Sequence, residues 1–129
     1  MSAARKSLKL MSLFLFVLGA VYTVLGIMGV ATGQTPGFPD ANAVLPIMVA
    51  LYGIGTIADA VLGIRAANKP STAKIAFYWS MAMFAFEAVA VALSIGNDVT
   101  NPVEYGMFAA ALAMTFFTER VHKEQKERL

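Results

Sequence analysis

The sequence has no cysteine and a single histidine among its 129 residues. Without cysteine there are no disulfides, thiolate zinc sites, iron–sulfur clusters or cysteine nucleophiles. One histidine excludes a bis-histidine haem or a histidine metal site within one chain, so we expect no cofactor and no metal. Charged residues make up only 14% and hydrophobic residues 58%, with a mean hydropathy of +0.66. This apolar share exceeds that of soluble domains and predicts that lipid surrounds the chain.

Four uncharged apolar runs carry this composition, at residues 10–32, 43–64, 75–95 and 103–118. A helix needs about 20 residues to cross a hydrocarbon core about 30 Å thick, and the first three runs reach that length. The fourth is shorter, and we expect it to gain a turn, with Glu104 at the outer interface and Glu119 and Arg120 snorkelling at the other. The runs predict an all-α membrane protein with four transmembrane helices in an up-down-up-down bundle. Residues 1–129 would form one transmembrane domain, with a charged helical tail at 119–129.

The basic residues predict the orientation of these spans. All ten lie in the amino terminus, the middle connection and the tail: Arg5, Lys6, Lys9, Arg65, Lys69, Lys74, Arg120, Lys123, Lys126 and Arg128. The positive-inside rule therefore places both termini in the cytoplasm and predicts a multi-pass protein of the cell membrane. Basic residues before the first run are also typical of a cleaved signal peptide, but its length favours a membrane anchor. So little chain lies outside the runs that we expect no nucleic-acid partner.

Small residues recur along three of the runs. In lipid, Gly and Ala faces let helix backbones approach closely, which supplies much of the packing. We expect the following glycines to lie at helix contacts: Gly19, Gly26, Gly29, Gly33, Gly55, Gly63 and Gly106. Contacts within the bundle are favoured over a seam between copies, and a homo-oligomer stays open.

Two acids lie inside the runs and define a candidate polar site. At 1.5 Å per residue, Glu87 lies about 3 Å from the midplane on the outer side, and Asp59 lies about 8 Å from it on the cytoplasmic side. A charge near the centre costs about 2.5 to 3.5 kcal/mol, so each acid needs a partner, a proton or water. Tyr22 and Tyr52 lie near the depth of Glu87, and Ser80 lies near that of Asp59.

These positions leave two interpretations open for each acid. Glu87 is either a carboxylate that binds a proton or cation, or a neutral carboxyl hydrogen-bonded to Tyr22 or Tyr52 that fixes helix register. For Asp59 the structural role is favoured, with water or the basic side chain of Arg65 drawn inward.

The segment 62–71, LGIRAANKPS, precedes an aromatic-rich third run and a charged tail. In this layout the chain resembles small four-span membrane proteins of Gram-positive bacteria, a group that implies no particular activity. It is similar to small multidrug resistance transporters only in length and span count, because their essential acid lies in the first span, where this chain has Tyr22.

No catalytic motif is present, so we predict a protein that is not an enzyme. The favoured function is an accessory or interaction subunit with a membrane-protein partner. The alternative is a small oligomeric transporter or channel that uses Glu87, with or without Asp59. A membrane enzyme or redox anchor subunit ranks last.

Overall fold

The computed structural model describes residues 2–34, 45–96 and 102–127. Over these ranges the chain is 96% helical, with four α-helices and no strand. The helices are α1 (Ala3–Thr32), α2 (Leu45–Asn68), α3 (Ala73–Gly96) and α4 (Pro102–Glu127), and a short 3-10 helix at Pro70–Thr72 precedes α3. The prediction of an all-helical protein is confirmed.

Local capping sets the ends of α1, which is longer than its apolar run. The side chain of Ser2 accepts a hydrogen bond from the Arg5 amide at 3.3 Å, so the helix begins before the basic residues rather than after them. It ends at Gly33, whose φ of 78° lies in the left-handed region and whose amide donates to the Gly29 carbonyl. Gly33 is therefore a C-cap.

The first two helices pack along a strip of α1 that repeats at steps of three and four residues. Its buried members are Leu8, Ser12, Leu15, Gly19, Tyr22, Gly26 and Gly29. This 3.5-residue spacing is typical of a coiled-coil seam. Gly26 faces Ala50, and Gly19 faces Gly53, so the contacts advance in opposite directions along α1 and α2.

The contacts also run in opposite directions between the later helices. Ser80 of α3 meets Asp59, and Phe86 stacks on Tyr52 of α2. Phe84 meets Phe108 of α4, and Phe77 meets His122. Contact is most extensive between α1 and α2 and next between α3 and α4, and it is smaller between these two pairs. The described chain thus consists of two helix pairs that meet along a thinner interface.

Several polar side chains are buried inside the bundle, and many large apolar side chains lie on its outer surface. Among the residues with described side chains, the buried polar or charged ones are Ser12, Thr56, Asp59, Ser80, Glu87 and Thr118. Large apolar side chains such as Leu10 and Val17 of α1 and Leu51 of α2 are more than 60% exposed. Apolar residues such as Leu8, Leu15 and Met114 also fill the core, and an outer surface rich in large apolar side chains suits a lipid environment.

Three helical stretches are long and apolar enough to cross a membrane, at Ala3–Thr32, Pro46–Asn68 and Pro70–Ala92. The predicted fourth span is not among them, because Glu104 and Glu119 bracket the apolar part of α4. By length and composition, three of the described helices could thus span a membrane, and the fourth span stays a prediction.

Candidate functional site

Glu87 lies at the meeting point of the two helix pairs. Its side chain is 1% exposed, and its Oε2 atom has no hydrogen-bond partner in the part of the chain that the structure describes. The carboxyl lines a small cleft of about 60 Å³. The other lining residues come from α2, α3 and α4: Met48, Val49, Tyr52, Phe86, Ala90, Glu104 and Met107.

The two tyrosines expected at this depth pack against each other. The rings of Tyr22 and Tyr52 lie edge to face with centroids 5.5 Å apart, and Tyr52 also lines the cleft with Glu87. The Tyr52 hydroxyl donates its proton to the carbonyl oxygen of Met107 in a long hydrogen bond of 3.4 Å. The structure shows no hydrogen bond from Tyr52 to Glu87, and the hydroxyl donates to the backbone of α4 instead.

Glu104 is a second carboxylate that sequence reasoning missed. The sequence places it at the outer interface, yet it is half-buried and lines the same cleft as Glu87. Its spacing to Met107, Ala111 and Met114 follows steps of three and four, and those three residues are buried. That periodicity along α4 is the signal that could have found it.

Asp59 has the partner that its depth predicts. Ser80 Oγ donates to Asp59 Oδ1 at 2.6 Å, and both side chains are buried between α2 and α3. Thr115 of α4 donates to the carbonyl of Ser80 at 3.1 Å, which extends the polar contact to a third helix. Arg65, the basic residue expected near Asp59, is exposed instead. Asp59 therefore contrasts with Glu87, whose Oε2 lacks such a donor.

Three glycines of α1 and α2 lie where the backbones nearly touch. A Cβ at Gly26 would lie 2.6 Å from the Cα of Ala50, and one at Gly19 would lie 2.9 Å from the carbonyl oxygen of Gly53. Gly53 was not expected at a contact, yet a Cβ there would overlap the backbone and hydroxyl of Thr23. These positions require the absence of a side chain.

The other glycines expected at contacts divide into two groups. Gly29 is buried, a Cβ at Gly63 would overlap Ser12 and Met114, and one at Gly55 would lie 2.9 Å from the sulfur of Met83. Gly33 and Gly106 are exposed with open space around them, which corrects the expectation for both. Gly33 ends α1, and Gly106 lies on the outer face of α4.

A wider groove opens between α2 and α3 on the outer surface. Its volume is about 300 Å³, and its lining residues are Leu51, Tyr52, Trp79, Ala82, Met83 and Phe86. The indole of Trp79 is held there by a hydrogen bond of 2.9 Å to the carbonyl of Gly55. The limited contact between these helices leaves this space, and aromatic rings form much of its wall.

The ends of the helices that carry the basic residues form a separate polar region. The Arg5 guanidinium donates to the carbonyls of Ala67 at 2.6 Å and Asn68 at 3.1 Å, which caps the carboxyl end of α2. His122 stacks on Phe77 with ring centroids 6.2 Å apart. Partial burial, followed by the positive charges of Lys126 and Lys74, lowers the pKa of His122 from its ordinary value of 6.5.

The described residues contain no group of three His, Cys, Asp or Glu side chains that could hold a metal ion. In comparisons with known proteins, no family model, curated protein or solved structure matches the chain. The resemblance to small four-span proteins of Gram-positive bacteria therefore stays a prediction.

Proposed function

We propose that this chain is an integral membrane protein of the cell membrane with four spans and both termini in the cytoplasm. Three apolar helices and the outward apolar side chains support insertion in a bilayer. The antiparallel contacts between successive helices support the up-down-up-down order. For α4, the guanidinium of Arg120 lies 5.7 Å from the ring centroid of Phe116, a geometry consistent with a snorkelling residue at the end of a short span.

We further propose that the protein is a small transporter in which Glu87 binds a proton or a cation. The observation that carries this proposal is the buried Oε2 of Glu87, which has no hydrogen-bond partner among the described residues and lines a cleft with a second carboxylate. A carboxyl that served only to fix helix register would be expected to have its hydrogen bonds satisfied, as Asp59 has with Ser80. The geometry thus favours the alternative that the sequence ranked second.

The buried Oε2 atom of Glu87 carries a free-energy cost because no donor among the described residues pairs with it. An unsatisfied buried polar atom costs about 1 to 3 kcal/mol, and more when the group is charged. A nearby second carboxylate increases that cost because like charges repel. Uptake of a proton or cation in the cleft neutralises the carboxylate, which removes the like-charge repulsion and the added cost of a buried charge. Glu87 therefore has a physical reason to bind one.

Ion flux in proteoliposomes tests this function. Wild-type protein should move protons or monovalent cations down an imposed gradient. Glu87→Gln should abolish that flux without unfolding the protein, because an amide keeps the shape of the carboxyl but cannot carry its charge. Asp59→Asn is the matched control, since Asp59 is also buried but has Ser80 as its partner.

Two results would contradict the proposal. Flux that persists unchanged in Glu87→Gln would show that this carboxyl takes no part in it. Absence of any flux in well-folded wild-type protein would favour the accessory subunit, which co-purification of a stoichiometric membrane partner in mild detergent would then test.

A further inference from the structure

The cleft at Glu87 and the groove between α2 and α3 are neighbours that share two walls. Tyr52 and Phe86 line both spaces, and their rings stack with centroids 6.5 Å apart and planes within 19° of parallel. The cleft with its buried carboxylate and the apolar, outward-facing groove thus have an aromatic pair in common. Binding of a proton at Glu87 makes no use of the groove.

We propose that this composite site binds a lipophilic organic cation, with its charged group near Glu87 and its apolar body in the groove. The inference rests on the proposed role of Glu87 as a cation site and adds the chemical class of the ligand. The unpartnered carboxylate oxygen supplies charge complementarity, and the faces of Tyr52 and Phe86 attract a cation through their quadrupoles. Leu51, Trp79 and Met83 offer apolar contact to the rest of the molecule.

The dimensions agree with a small ligand of this kind. A water-sized group needs about 10 to 15 Å³ of cavity volume, so the cleft of about 60 Å³ has room for roughly four such groups. A trimethylammonium group, with one nitrogen and three methyl carbons, is of this size. The groove of about 300 Å³ lies at the lower end of the range for small-molecule pockets. Its exposed lining would face lipid, so the ligand enters from the bilayer.

The lining argues against a bare metal cation as the preferred ligand. Hard cations require several oxygen donors, whereas the described part of the chain has no cluster of three acidic or histidine side chains. Apolar, thioether and aromatic groups make up most of both walls. An organic cation needs only charge neutralisation and apolar contact, which these walls provide.

Trp79 provides a direct assay because it is the sole tryptophan of the chain and lines the groove. Wild-type protein in phosphatidylcholine nanodiscs would be titrated with benzyltrimethylammonium while Trp79 fluorescence is recorded. The matched probe is neopentylbenzene, in which a neutral carbon replaces the positively charged nitrogen. We expect a saturable change with the cation and a change at least about tenfold weaker in affinity with the neutral isostere.

Variants separate the charge from the apolar walls. Glu87→Gln should weaken binding of the cation by about tenfold or more and leave that of neopentylbenzene unchanged. Asp59→Asn, which removes a buried carboxylate outside the site, should bind the cation as wild type does. Phe86→Ala should weaken cation binding roughly threefold or more. Phe14→Ala, at an exposed ring on α1, should have no effect.

The outcomes separate this inference from the proposed transport function. Equal affinity for the cation in wild type and a folded Glu87→Gln protein, or equal affinity of wild type for both probes, would overturn the inference. Proton or sodium flux that depends on Glu87 without saturable binding of benzyltrimethylammonium would also overturn it while leaving the transport proposal standing. Binding that depends on Glu87 without flux would support the site and refute transport.

Discussion

Replacement of Gly26 by alanine tests the close packing of α1 on α2. The added Cβ would lie 2.6 Å from both the Cα and the Cβ of Ala50, whereas carbon atoms pack at about 3.5 to 4.0 Å. The helices must separate by roughly 1 Å to admit it, because the obstructing atoms are the backbone N and Cα of Ala50 and the Cβ fixed to them, none of which can rotate away. Overpacking of this kind costs about 1 to 3 kcal/mol.

The same glycine-to-alanine change at Gly106 and at Gly55 provides matched controls. At Gly106 a Cβ meets nothing within 4 Å, and at Gly55 it meets the flexible side chain of Met83. All three positions are helical, so the gain in helix propensity from glycine to alanine, about 1 kcal/mol, is common to them. The free energies of unfolding should therefore decrease in the order Gly106→Ala, Gly55→Ala, Gly26→Ala.

Thermal melting in a mild detergent measures this difference. For a chain of this size, 1 kcal/mol corresponds to about 4 °C, so Gly26→Ala should melt roughly 4 to 12 °C below Gly106→Ala. Equal melting temperatures for these two variants would refute the packing argument, since they would show that α1 and α2 do not approach closely at Gly26.

Three further predictions concern the basic ends of the helices and the orientation of the chain. Arg5→Ala should lower the free energy of unfolding by about 1 to 2 kcal/mol, because the cap on the carboxyl end of α2 is lost. Lys6→Ala, at an exposed position, should change it little. Equal effects of the two variants in denaturant unfolding would disprove the cap. The imidazole of His122 should titrate by NMR below 6.5, so its contribution to stability is complete above pH 6.5 and decreases as the pH falls towards the folded pKa; a midpoint at or above 6.5 would contradict the burial argument. A single cysteine at Asn42 should react with an impermeant maleimide outside intact cells and one at Gln125 should not, and the reverse pattern would exclude cytoplasmic termini.

The sequence alone was sufficient for the helical class and the rough position of each helix. Both are local properties, because apolar runs of sufficient length, interrupted by Gly, Pro and Asn, leave few alternatives to helices separated by loops. Depth along a helix is also local, since each residue adds about 1.5 Å. That counting placed Ser80 beside Asp59, and the two side chains are hydrogen-bonded.

Rotation of each helix about its axis was decided only by the tertiary structure. α2 and α3 are apolar on nearly all sides, so their sequences carry little indication of which face turns inward. The contact at Gly53, the turn of Glu104 towards Glu87 and the exposure of Gly106 all depend on rotation. Likewise, the hydroxyl of Tyr52 donates to the Met107 carbonyl because α4 brings that backbone oxygen within reach. The missing hydrogen bond at Glu87 is thus a property of how four helices meet, which no single run encodes.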